Sequence, residues 1–304
     1  PMTIQELEYF KIICREKSIT KAARQLYITP QGLSKTLKNL ESELQTTLLT
    51  RNTSGATLTE TGQYLCDHLD ILLTDYYALR HGIREITQRQ NHEIDLLSAY
   101  GILRLVTPDC ITAFREKYPH ISVHYREYPD KQVERLFAAQ EGNVAFTIGP
   151  ADFSPWIATP LEQFEVCLLV NRSHPLSKKT SVTIQDLKDE PIYLESSEFQ
   201  IHHMFMEKCR LAGFTPHIVF ETSGFSLCHK MVRANKGVSL SLGFMFDDMS
   251  GDDTMVLIPF SDGSYPWETY MLTREKPAPD SDLKLFRDHI LEWMNEIKAG
   301  KRSR

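Results

Sequence analysis

The sequence predicts an N-terminal unit of short helices, then one long helix, then a larger α/β region. Three observations predict this order. Residues 18–41 contain two short helical patterns separated by a turn of two or three residues. From Leu65 onward the apolar residues repeat every 3.5 positions, which is the spacing of a coiled-coil stripe. After residue 91, strand-like and helix-like stretches alternate, as they do in α/β domains.

The most informative pattern is the helix predicted to begin after Thr29. Thr29 can accept a hydrogen bond as the N-cap, and Pro30 suits the first helical position because its missing N–H has no intrahelical partner there. One face of this helix carries the leucines Leu33, Leu37, Leu40 and Leu44. Another face carries the polar side chains Gln31, Ser34, Lys35 and Lys38. An amide, a hydroxyl and two ammonium groups suit base edges and phosphates.

Two further helices are predicted before it. Ser18 or Thr20 can cap the second helix, whose Ala22 and Ala23 are small enough to let two helices cross closely. The first helix has the apolar positions Ile4, Leu7, Phe10 and Cys14. Residues 17–40 hold five cations and no Asp or Glu. The alternative is a small helical bundle with solvated lysines, but the cap, the turn and the two faces together favour a DNA-binding helix-turn-helix.

The stretches SITKAARQL, ITPQGLSKTLKNLESEL and LTETG, with the spacing between them, resemble the N-terminal domain of LysR-type transcriptional regulators. The resemblance covers residues 3–65 and implies a winged helix-turn-helix that binds operator DNA, here over 1–58. Three departures are present. Pro30 precedes Gln31, where the family usually has Gln followed by Pro or Ser; Lys35 stands where Arg is usual; and Leu49 replaces the usual Phe near the wing. The operator sequence therefore does not follow from relatives.

The residues predicted to contact DNA lie in these helices and in the wing. We expect Gln31 and Ser34 to read bases. Lys35, Lys38 and Arg51 are expected to bind phosphate or guanine, although Lys is a poorer bidentate partner for guanine than Arg. The full predicted set is Ser18, Thr20, Thr29, Pro30, Gln31, Ser34, Lys35, Lys38, Arg51 and Thr53.

Composition agrees with a multi-domain cytoplasmic protein. The chain has 304 residues and a net charge of −6. The first 60 residues hold eight Lys or Arg against six Asp or Glu, and the other 244 hold 26 against 34. A modestly basic head on an acidic body suits site-specific DNA binding by one face. No apolar stretch approaches 18 residues and no signal peptide is indicated, and six scattered cysteines are expected to be reduced and mostly buried.

A long helix of residues 60–89, within a linker segment of 59–90, is predicted after the wing. Such a helix spans roughly 45 Å at 1.5 Å per residue. Its apolar positions are Leu65, Leu69, Leu72, Tyr76, Leu79, Ile83 and Ile86. One alternative is an amphipathic helix packed on its own chain; the other is a seam with a second subunit. In LysR-type regulators this helix pairs two subunits, which implies a homo-oligomer, either dimer or tetramer, with two recognition helices at a fixed spacing.

The rest of the chain, 91–304, is predicted to be α/β with largely parallel sheets. Predicted strands are 93–99, 121–127, 144–149, 164–170, 191–194, 217–222, 238–242 and 267–273. Predicted helices lie near 108–117, 131–139, 183–188, 200–212, 225–236 and 281–298.

Four phrases in this region, YPHISV, NRSHPL, LAGF and NKGVSLS, resemble the effector-binding domain of the same family. The resemblance implies two lobes like those of type 2 periplasmic binding proteins. The first lobe would comprise about 91–161 and 267–304, and the second about 162–266.

Ligands of such α/β lobes bind at the carboxyl ends of strands, opposite helix N-termini. Four loops are predicted there. Their candidate effector-binding residues are Ser98, Tyr100, Gly101, Thr147, Ile148, Glu195, Ser196, Ser197, Phe199, Thr222 and Ser223. Each hydroxyl has the alternative role of an ordinary helix cap. The expected effector is a small organic acid or a polar aromatic compound. An inward Glu195 would disfavour a simple anion and would suit an amine, a hydroxyl or an amino acid, whereas an outward one would be a solvated loop charge.

The sequence offers no motif for catalysis, for a cofactor or for a metal. It has neither G-x-x-x-x-G-K-S/T nor G-x-G-x-x-G, and GFSLC lacks the second glycine of a nucleophile elbow. His202 and His203 are adjacent in a predicted helix, so their rings should point about 100° apart. His92–Glu93 lacks the partners of a deaminase zinc site.

The sequence therefore predicts a transcriptional regulator and not an enzyme. Its expected partners are double-stranded operator DNA, a small-molecule effector and a second copy of itself, with RNA polymerase as a further candidate and no membrane. Two alternatives from other classes stay open. One is a small-molecule-binding protein without a specific DNA head, and the other is a DNA-architectural protein with a degenerate effector domain.

Overall fold

The chain forms two compact units in a computed structural model that describes residues 2–26, 28–52, 55–247 and 253–301. The first unit comprises Pro1–Arg84 and the second Glu85–Arg304. Helices of the first unit are α1 (Ile4–Glu16), α2 (Ile19–Gln25), α3 (Pro30–Leu44) and α4 (Glu60–Asn91), the last of which continues into the second unit. An antiparallel hairpin of β1 (Leu49–Asn52) and β2 (Gly55–Leu58) precedes α4.

The predicted caps of the helix-turn-helix are confirmed. Ser18, and not Thr20, caps α2: the Lys21 N–H donates to its hydroxyl at 3.3 Å. The Gly32 N–H donates to the Thr29 hydroxyl at 3.1 Å, and Pro30 opens α3. Each cap satisfies a backbone donor that has no partner inside the helix.

The leucine face of α3 forms the centre of the first unit's core. Leu33, Leu37 and Leu40 are buried there with Ala22 and Ala23 of α2. The expectation that Leu44 joins this face is wrong, since it is 37% exposed. The helix ends at Leu44, and Gln45 turns the chain away in the left-handed conformation with φ 51°.

The hairpin is held against the helices by backbone hydrogen bonds to one carboxylate. Glu41 Oε1 accepts the N–H groups of Leu48 at 2.8 Å and Leu49 at 3.2 Å. On the other side, the Thr59 N–H donates to the Leu48 carbonyl at 3.0 Å. A Cβ on Gly62 would lie 2.1 Å from that same carbonyl oxygen, so α4 approaches the wing as closely as it does only because residue 62 is glycine.

Helix α4 has 32 residues and spans roughly 48 Å. Its first turns pack on their own head, because Leu69 is buried in the first unit's core and Leu65 packs against that core. These two residues were expected in a seam between subunits, so that expectation is corrected: their apolar surface is already covered within the chain. The rest of the predicted stripe comprises the partly buried Tyr76 and the exposed Leu72, Leu79, Ile83 and Ile86.

The second unit alternates strands and helices. Its strands are β3 (Glu93–Ala99), β4 (Ser122–Tyr128), β5 (Val144–Gly149), β6 (Ile157–Glu165), β7 (Cys167–Asn171), β8 (Pro191–Glu195), β9 (His217–Thr222), β10 (Ser239–Ser241), β11 (Met255–Pro259) and β12 (Pro266–Thr273). Its helices are α5 (Ile102–Val106), α6 (Pro108–Lys117), α7 (Asp130–Ala138), α8 (Gln200–Leu211), α9 (Phe225–Arg233), α10 (Gly243–Asp247) and α11 (Asp282–Lys298). Short 3-10 helices cover Pro175–Lys178 and Ile184–Leu187.

The strands form two lobes. The first lobe is a five-stranded sheet in the order β4-β3-β5-β12-β6. The second holds the antiparallel sheet β10-β7-β11 and the parallel pair β8-β9, which a bridge between Ile192 and Val238 joins to β10. One contiguous cluster of buried apolar side chains runs through both lobes.

The expectation of largely parallel sheets is wrong. Strand β3 runs parallel to β4 and β5, but β12 is antiparallel to both its neighbours, as β7 is to both of its own. The chain crosses twice between the lobes, and β12, which returns to the first lobe, enters its sheet antiparallel to β5 and β6. Strand β6 stays in the first sheet as far as Glu165, which pairs with Pro266, so the first lobe extends beyond the predicted boundary at 161.

Among the described residues, no helix combines the length and apolar character needed to cross a bilayer. All six cysteines are free and four of them are buried. Burial raises the pKa of Cys209 and of Cys228 to about 12, which keeps both thiols protonated and unreactive near neutral pH.

The exposed stripe of α4 leads to a prediction about assembly. Charges at Leu72 and Leu79 should not disturb a monomer, because both side chains are exposed. In a paired α4 the same charges would be buried without partners, at a cost of several kcal/mol. We therefore expect Leu72→Asp with Leu79→Asp to shift the full-length protein to monomers in sedimentation at micromolar concentration.

The matched control is Thr74→Asp with Ala78→Asp, which adds the same charge at exposed positions of α4 outside the stripe. It should sediment like the wild type. A monomeric wild type, or equal dissociation of both double variants, would rule out pairing through this stripe.

Candidate DNA interface and effector cleft

The polar face of α3 is open to solvent. Gln31, Lys35 and Lys38 are exposed and Ser34 is partly buried. Thr29 and Pro30, at the helix N-terminus, are also exposed, so the positive end of the helix dipole and its cap face the same solvent region. Because the buried leucines occupy the opposite face, α3 can enter a groove without disturbing the core.

The beginning of α2 adds further groups beside α3. Thr20 is exposed, whereas the Ser18 hydroxyl is engaged as the cap of α2. Arg51 lies in β1, where its backbone is paired with Ala56. The Arg51 side chain and Thr53 lie outside the described residues.

The strand ends of the first lobe differ from expectation in their exposure. Ser98, Thr147 and Ile148 are at most 2% exposed and lie within the sheet. The Ser98 hydroxyl donates to the neighbouring Ala99 carbonyl at 3.1 Å. The buried Thr147 hydroxyl has no hydrogen-bond partner among the described residues. These three side chains are therefore buried within the first lobe's sheet, which argues against direct contact with a ligand in this conformation.

Backbone and side-chain hydrogen bonds join the lobes at the start of α7 and α8. The Gln200 N–H donates to Asp130 Oδ2 at 2.8 Å, and its side-chain amide donates to the Pro150 carbonyl at 3.0 Å. The Lys131 N–H donates to the Glu198 carbonyl at 3.0 Å. The lobes are thus in contact along this edge.

Aromatic and apolar contacts accompany these bonds. The rings of Tyr100 and Phe199 stack across the lobes with their centroids 6.4 Å apart. Tyr100 remains 41% exposed and Phe199 only 4%. Gly101 has φ 90°, and a Cβ there would lie 2.5 Å from Met245 Cε. The structure therefore brings together Tyr100, Gly101 and Phe199 of the predicted set.

Two carboxyl groups meet in this region. Asp130 is 1% exposed, and burial raises its pKa to about 7. Burial also raises the pKa of Glu195 to about 8, and the nearby Asp130 charge adds to the shift. Asp130 Oδ1 has no hydrogen-bond partner among the described residues. Glu195 is partly buried at the end of β8 and within electrostatic range of Asp130, a carboxyl group that the sequence did not single out.

Asp130 could have been found by the rule used for the other loops. It is the first residue of α7 and follows β4, whose carboxyl end lies beside that of β3 in the sheet. The end of β4 was not among the four loops considered. An Asp at the start of a helix is usually a helix cap, so the residue type alone gives no sign that Asp130 contacts the other lobe.

The sequence also did not single out a cluster of Arg104, Phe225 and His229, which joins the two lobes. The Arg104 guanidinium carbon lies 5.0 Å from the ring centroid of Phe225, and that ring lies 5.3 Å from His229. Burial lowers the pKa of His229 to about 4, helped by the cations Arg233 and Arg104, so the imidazole is neutral at physiological pH.

The hydroxyls of the second lobe divide into caps and exposed groups. Thr222 accepts the Gly224 N–H at 3.2 Å, so it plays the local capping role that was its alternative. The partly buried Ser196 donates its N–H to the Thr222 carbonyl at 2.8 Å. Ser197 and Ser223 are exposed, and Ser197 lines an open groove of about 410 Å³ between α7 and the loop before α8.

The adjacent histidines of α8 face different partners, as expected. His202 Nδ1 lies 2.9 Å from the Glu195 carbonyl, and His203 Nε2 lies 2.7 Å from the Ser197 carbonyl. These hydrogen bonds stabilise the end of β8 at Glu195 and the loop that follows it.

Comparisons with known proteins recover both units. Residues 4–63 match the model of the "Bacterial regulatory helix-turn-helix protein, lysR family", and residues 88–295 match the "LysR substrate binding domain". The chain is 28% identical over 301 residues to the uncharacterized HTH-type transcriptional regulator YwbI of Bacillus subtilis, covering 99% of this chain and 100% of YwbI. It is 30% identical over 247 residues to the HTH-type transcriptional regulator AlsR of the same organism, covering 78% of this chain and 80% of AlsR.

Solved structures show the same fold. Full-length BenM superposes with a TM-score of 0.58 at 23% identity, covering 99% of this chain and 98% of BenM. HinK from Pseudomonas aeruginosa superposes with a TM-score of 0.55 at 21% identity, covering 97% of this chain and 99% of HinK.

The raised pKa of Glu195 predicts how the stability of the fold depends on pH. A carboxyl whose pKa is raised in the folded state stabilises the fold below its unfolded pKa, and that contribution is lost as pH rises through the folded pKa. For Glu195 the window runs from about 4.5 to about 8. Because Glu195→Gln mimics the protonated form, we expect its melting temperature to match the wild type near pH 4, to exceed it increasingly up to about pH 8, and to exceed it by a constant amount above that.

Glu116→Gln, at an exposed position of α6, should keep the wild-type profile across the same pH range. If the difference in melting temperature between wild type and Glu195→Gln does not change with pH, the Glu195 carboxyl is not desolvated.

Proposed function

This chain belongs to the LysR family of helix-turn-helix transcriptional regulators, and we propose that the cleft between its lobes binds an effector with an amine or another hydrogen-bond donor. The family membership makes it a DNA-binding regulator with an effector-binding domain. The observation that supports the effector class is the carboxyl pair Glu195 and Asp130 beside the stacked rings of Tyr100 and Phe199.

Electrostatics favours a donor over a simple anion. A carboxylate ligand beside Glu195 and Asp130 could bind only while both carboxyl groups keep their protons, because ionised carboxylates in a desolvated site repel one another, whereas an ammonium group would be neutralised by their ionisation. A donor would instead satisfy Asp130 Oδ1, which lacks a hydrogen bond among the described residues. The rings of Tyr100 and Phe199 suit a flat apolar part of the same ligand. An amine, a hydroxylated compound or an amino acid therefore fits this cleft better than an unsubstituted organic acid.

The interlobe hydrogen bonds supply a mechanism for a response. A ligand donor at Asp130 Oδ1 would reposition the carboxyl group whose Oδ2 accepts the Gln200 N–H from the other lobe, so occupancy would favour a different relative position of the lobes. A ligand shifts such an equilibrium only by its difference in affinity for the two states. Contacts between subunits would convey the change to the DNA-binding units.

On DNA, we place α3 in the major groove. Gln31 and Ser34 would read base edges, and Lys35, Lys38 and Arg51 would bind phosphate or guanine. Thr29 and Pro30 would present the helix N-terminus to a phosphate, with Ser18, Thr20 and Thr53 at the flanks.

We further propose that the protein acts in the cytoplasm as a homo-oligomer, with RNA polymerase as a candidate partner. The subunits would pair through the stripe of α4 that comprises Leu72, Tyr76, Leu79, Ile83 and Ile86.

The DNA assignment predicts two distinct mutant behaviours. Gln31→Ala should cost about 1–3 kcal/mol on the cognate operator and relax the preference at one base position. Lys38→Ala should weaken binding to all sequences alike and lower the salt slope by about one unit. Affinity across a salt series, with footprinting on the promoter fragment, measures both.

Lys11→Ala serves as the control, because Lys11 is an exposed cation on α1 that pairs with Asp70 at 2.5 Å. Its operator affinity should stay near the wild-type value. If Gln31→Ala keeps the wild-type footprint and affinity, the reading face of α3 has been misassigned.

The effector assignment is tested by a thermal-shift screen of wild type, Glu195→Gln and Glu116→Gln. Small amines, hydroxylated aromatics and amino acids should include compounds that raise the wild-type melting temperature, since a ligand of the folded state stabilises it by mass action. Glu195→Gln should weaken such binding by at least about tenfold, which corresponds to about 1.4 kcal/mol. Glu116→Gln should leave it unchanged.

Operator affinity measured without ligand should be the same for all three proteins, which separates the effector site from the DNA interface. Hits confined to simple organic acids, with equal affinity for wild type and Glu195→Gln, would contradict the proposed class.

A further inference from the structure

Two histidines and one aspartate from distant parts of the chain meet at the edge of the first lobe. His92 directly follows α4, His120 lies in the turn before β4, and Asp282 is the first residue of α11. One potential ligand atom from each lies within 4.8 Å of the other two. His92 Nδ1 and Asp282 Oδ2 are 3.0 Å apart, and the rings of His92 and His120 have centroids 5.4 Å apart.

We propose that His92, His120 and Asp282 form a binding site for a divalent transition-metal ion of the zinc class. Two imidazoles and one carboxylate are a ligand set that Zn²⁺ and its neighbours in the series accept, with the remaining positions filled by water. With metal–ligand distances of about 2.0–2.1 Å, tetrahedral ligand atoms lie roughly 3.4 Å apart. The present separations are close enough that side-chain rotation alone would bring the three atoms to that spacing.

The backbone at each position is fixed, so that only side chains need to move. The His92 carbonyl accepts the Ser122 N–H at 2.8 Å, which ties the start of β3 to β4 close to His120. The turn that carries His120 is closed by the Ile121 N–H donating to the Tyr118 carbonyl at 3.0 Å. Such fixed backbones reduce the ordering that a metal would otherwise have to impose.

Asp282 is held in the same way. Ser281 caps α11 by accepting the Lys284 N–H at 3.2 Å, which sets the first turn in which Asp282 stands. The Asp282 side chain is 19% exposed, against 51% for His92, so the carboxylate sits deeper than the imidazole that would close over the ion.

Solvent reaches the site directly, because His92 and His120 are exposed, and water can fill the open coordination positions. A cavity of about 160 Å³ lies next to the site and is lined by Asp282 and Glu93 together with residues of the segment between β12 and α11. The Glu93 carboxylate on the same cavity would favour a cation there.

Binding would replace a hydrogen bond by metal–ligand bonds. In the metal-free state the His92 ring and the Asp282 carboxylate share a hydrogen bond. In the bound state both imidazoles are neutral ligands and the carboxylate is ionised, so a neutral His92 that binds the ion through Nδ1 carries its ring proton on Nε2. The ion would then fasten the residue that follows α4 to the α6–β4 turn and to the start of α11.

The test uses full-length protein without a histidine tag, stripped with a chelator. Titration with Zn²⁺ in a calorimeter should give one ion per chain, and Co²⁺ in the same site should give the visible absorption of nitrogen- and oxygen-bound cobalt. His120→Ala and Asp282→Asn should each weaken binding by at least about tenfold. His92→Asn should do the same, and Asn tolerates the left-handed backbone that residue 92 has at φ 53°.

His124→Ala is the matched control, because His124 is an exposed histidine of β4 outside the cluster. It should bind the ion as the wild type does, and all metal-free variants should show wild-type circular dichroism. No stoichiometric binding by wild type at micromolar concentration would overturn the proposal. Equal affinity in wild type and His120→Ala, or equal losses in His120→Ala and His124→Ala, would also overturn it.

Discussion

The hydrogen bond from the Gln200 N–H to Asp130 Oδ2 joins the two lobes through a buried carboxyl group, and the proposed effector site depends on that group. A carboxyl group that is 1% exposed needs partners, and this one obtains its partner from the other lobe. Only one oxygen is satisfied among the described residues, so the same group that joins the lobes offers an acceptor to a ligand. The pKa values of Asp130 and Glu195 are raised because burial removes water from both carboxyl groups.

The elements of the DNA-binding unit were predicted well from the sequence, because they are determined by residues close together in the chain. Caps at Ser18 and Thr29 and the leucine face of α3 are set by residues three or four apart, which pattern reading detects. The errors arise where a nonlocal event intervenes. Leu44 fits the period but the helix ends there, and Leu69 fits the heptad but packs on its own head. A period fixes which residues share a face, but not what covers that face.

The effector site stays a prediction, and the sequence could not foresee the burial of several of its members. The rule that ligands lie at strand ends selected Glu195 together with Tyr100 and Phe199, whose rings stack across the lobes. It could not say that Ser98 and Thr147 would be buried in the sheet, since alternation along a strand gives two faces without naming the covered one. Asp130 and Arg104 were missed because the contacts that single them out are made with the opposite lobe, and no spacing along the chain records a contact made after the chain has crossed between lobes.

The cluster of His92, His120 and Asp282 shows the same limit most clearly. Metal motifs are recognised in sequences by short spacings, because such ligands share one helix or one loop. Here the three ligands stand 28 and 162 positions apart in the chain, and they meet only because β3 pairs with β4 and α11 returns to the first lobe. The meeting point is also where the chain leaves α4. A ligand at that point would act on the connection between the helix of the DNA-binding unit and the effector domain without occupying the cleft, so the fold offers two chemically different places where a small ligand could bias the regulator.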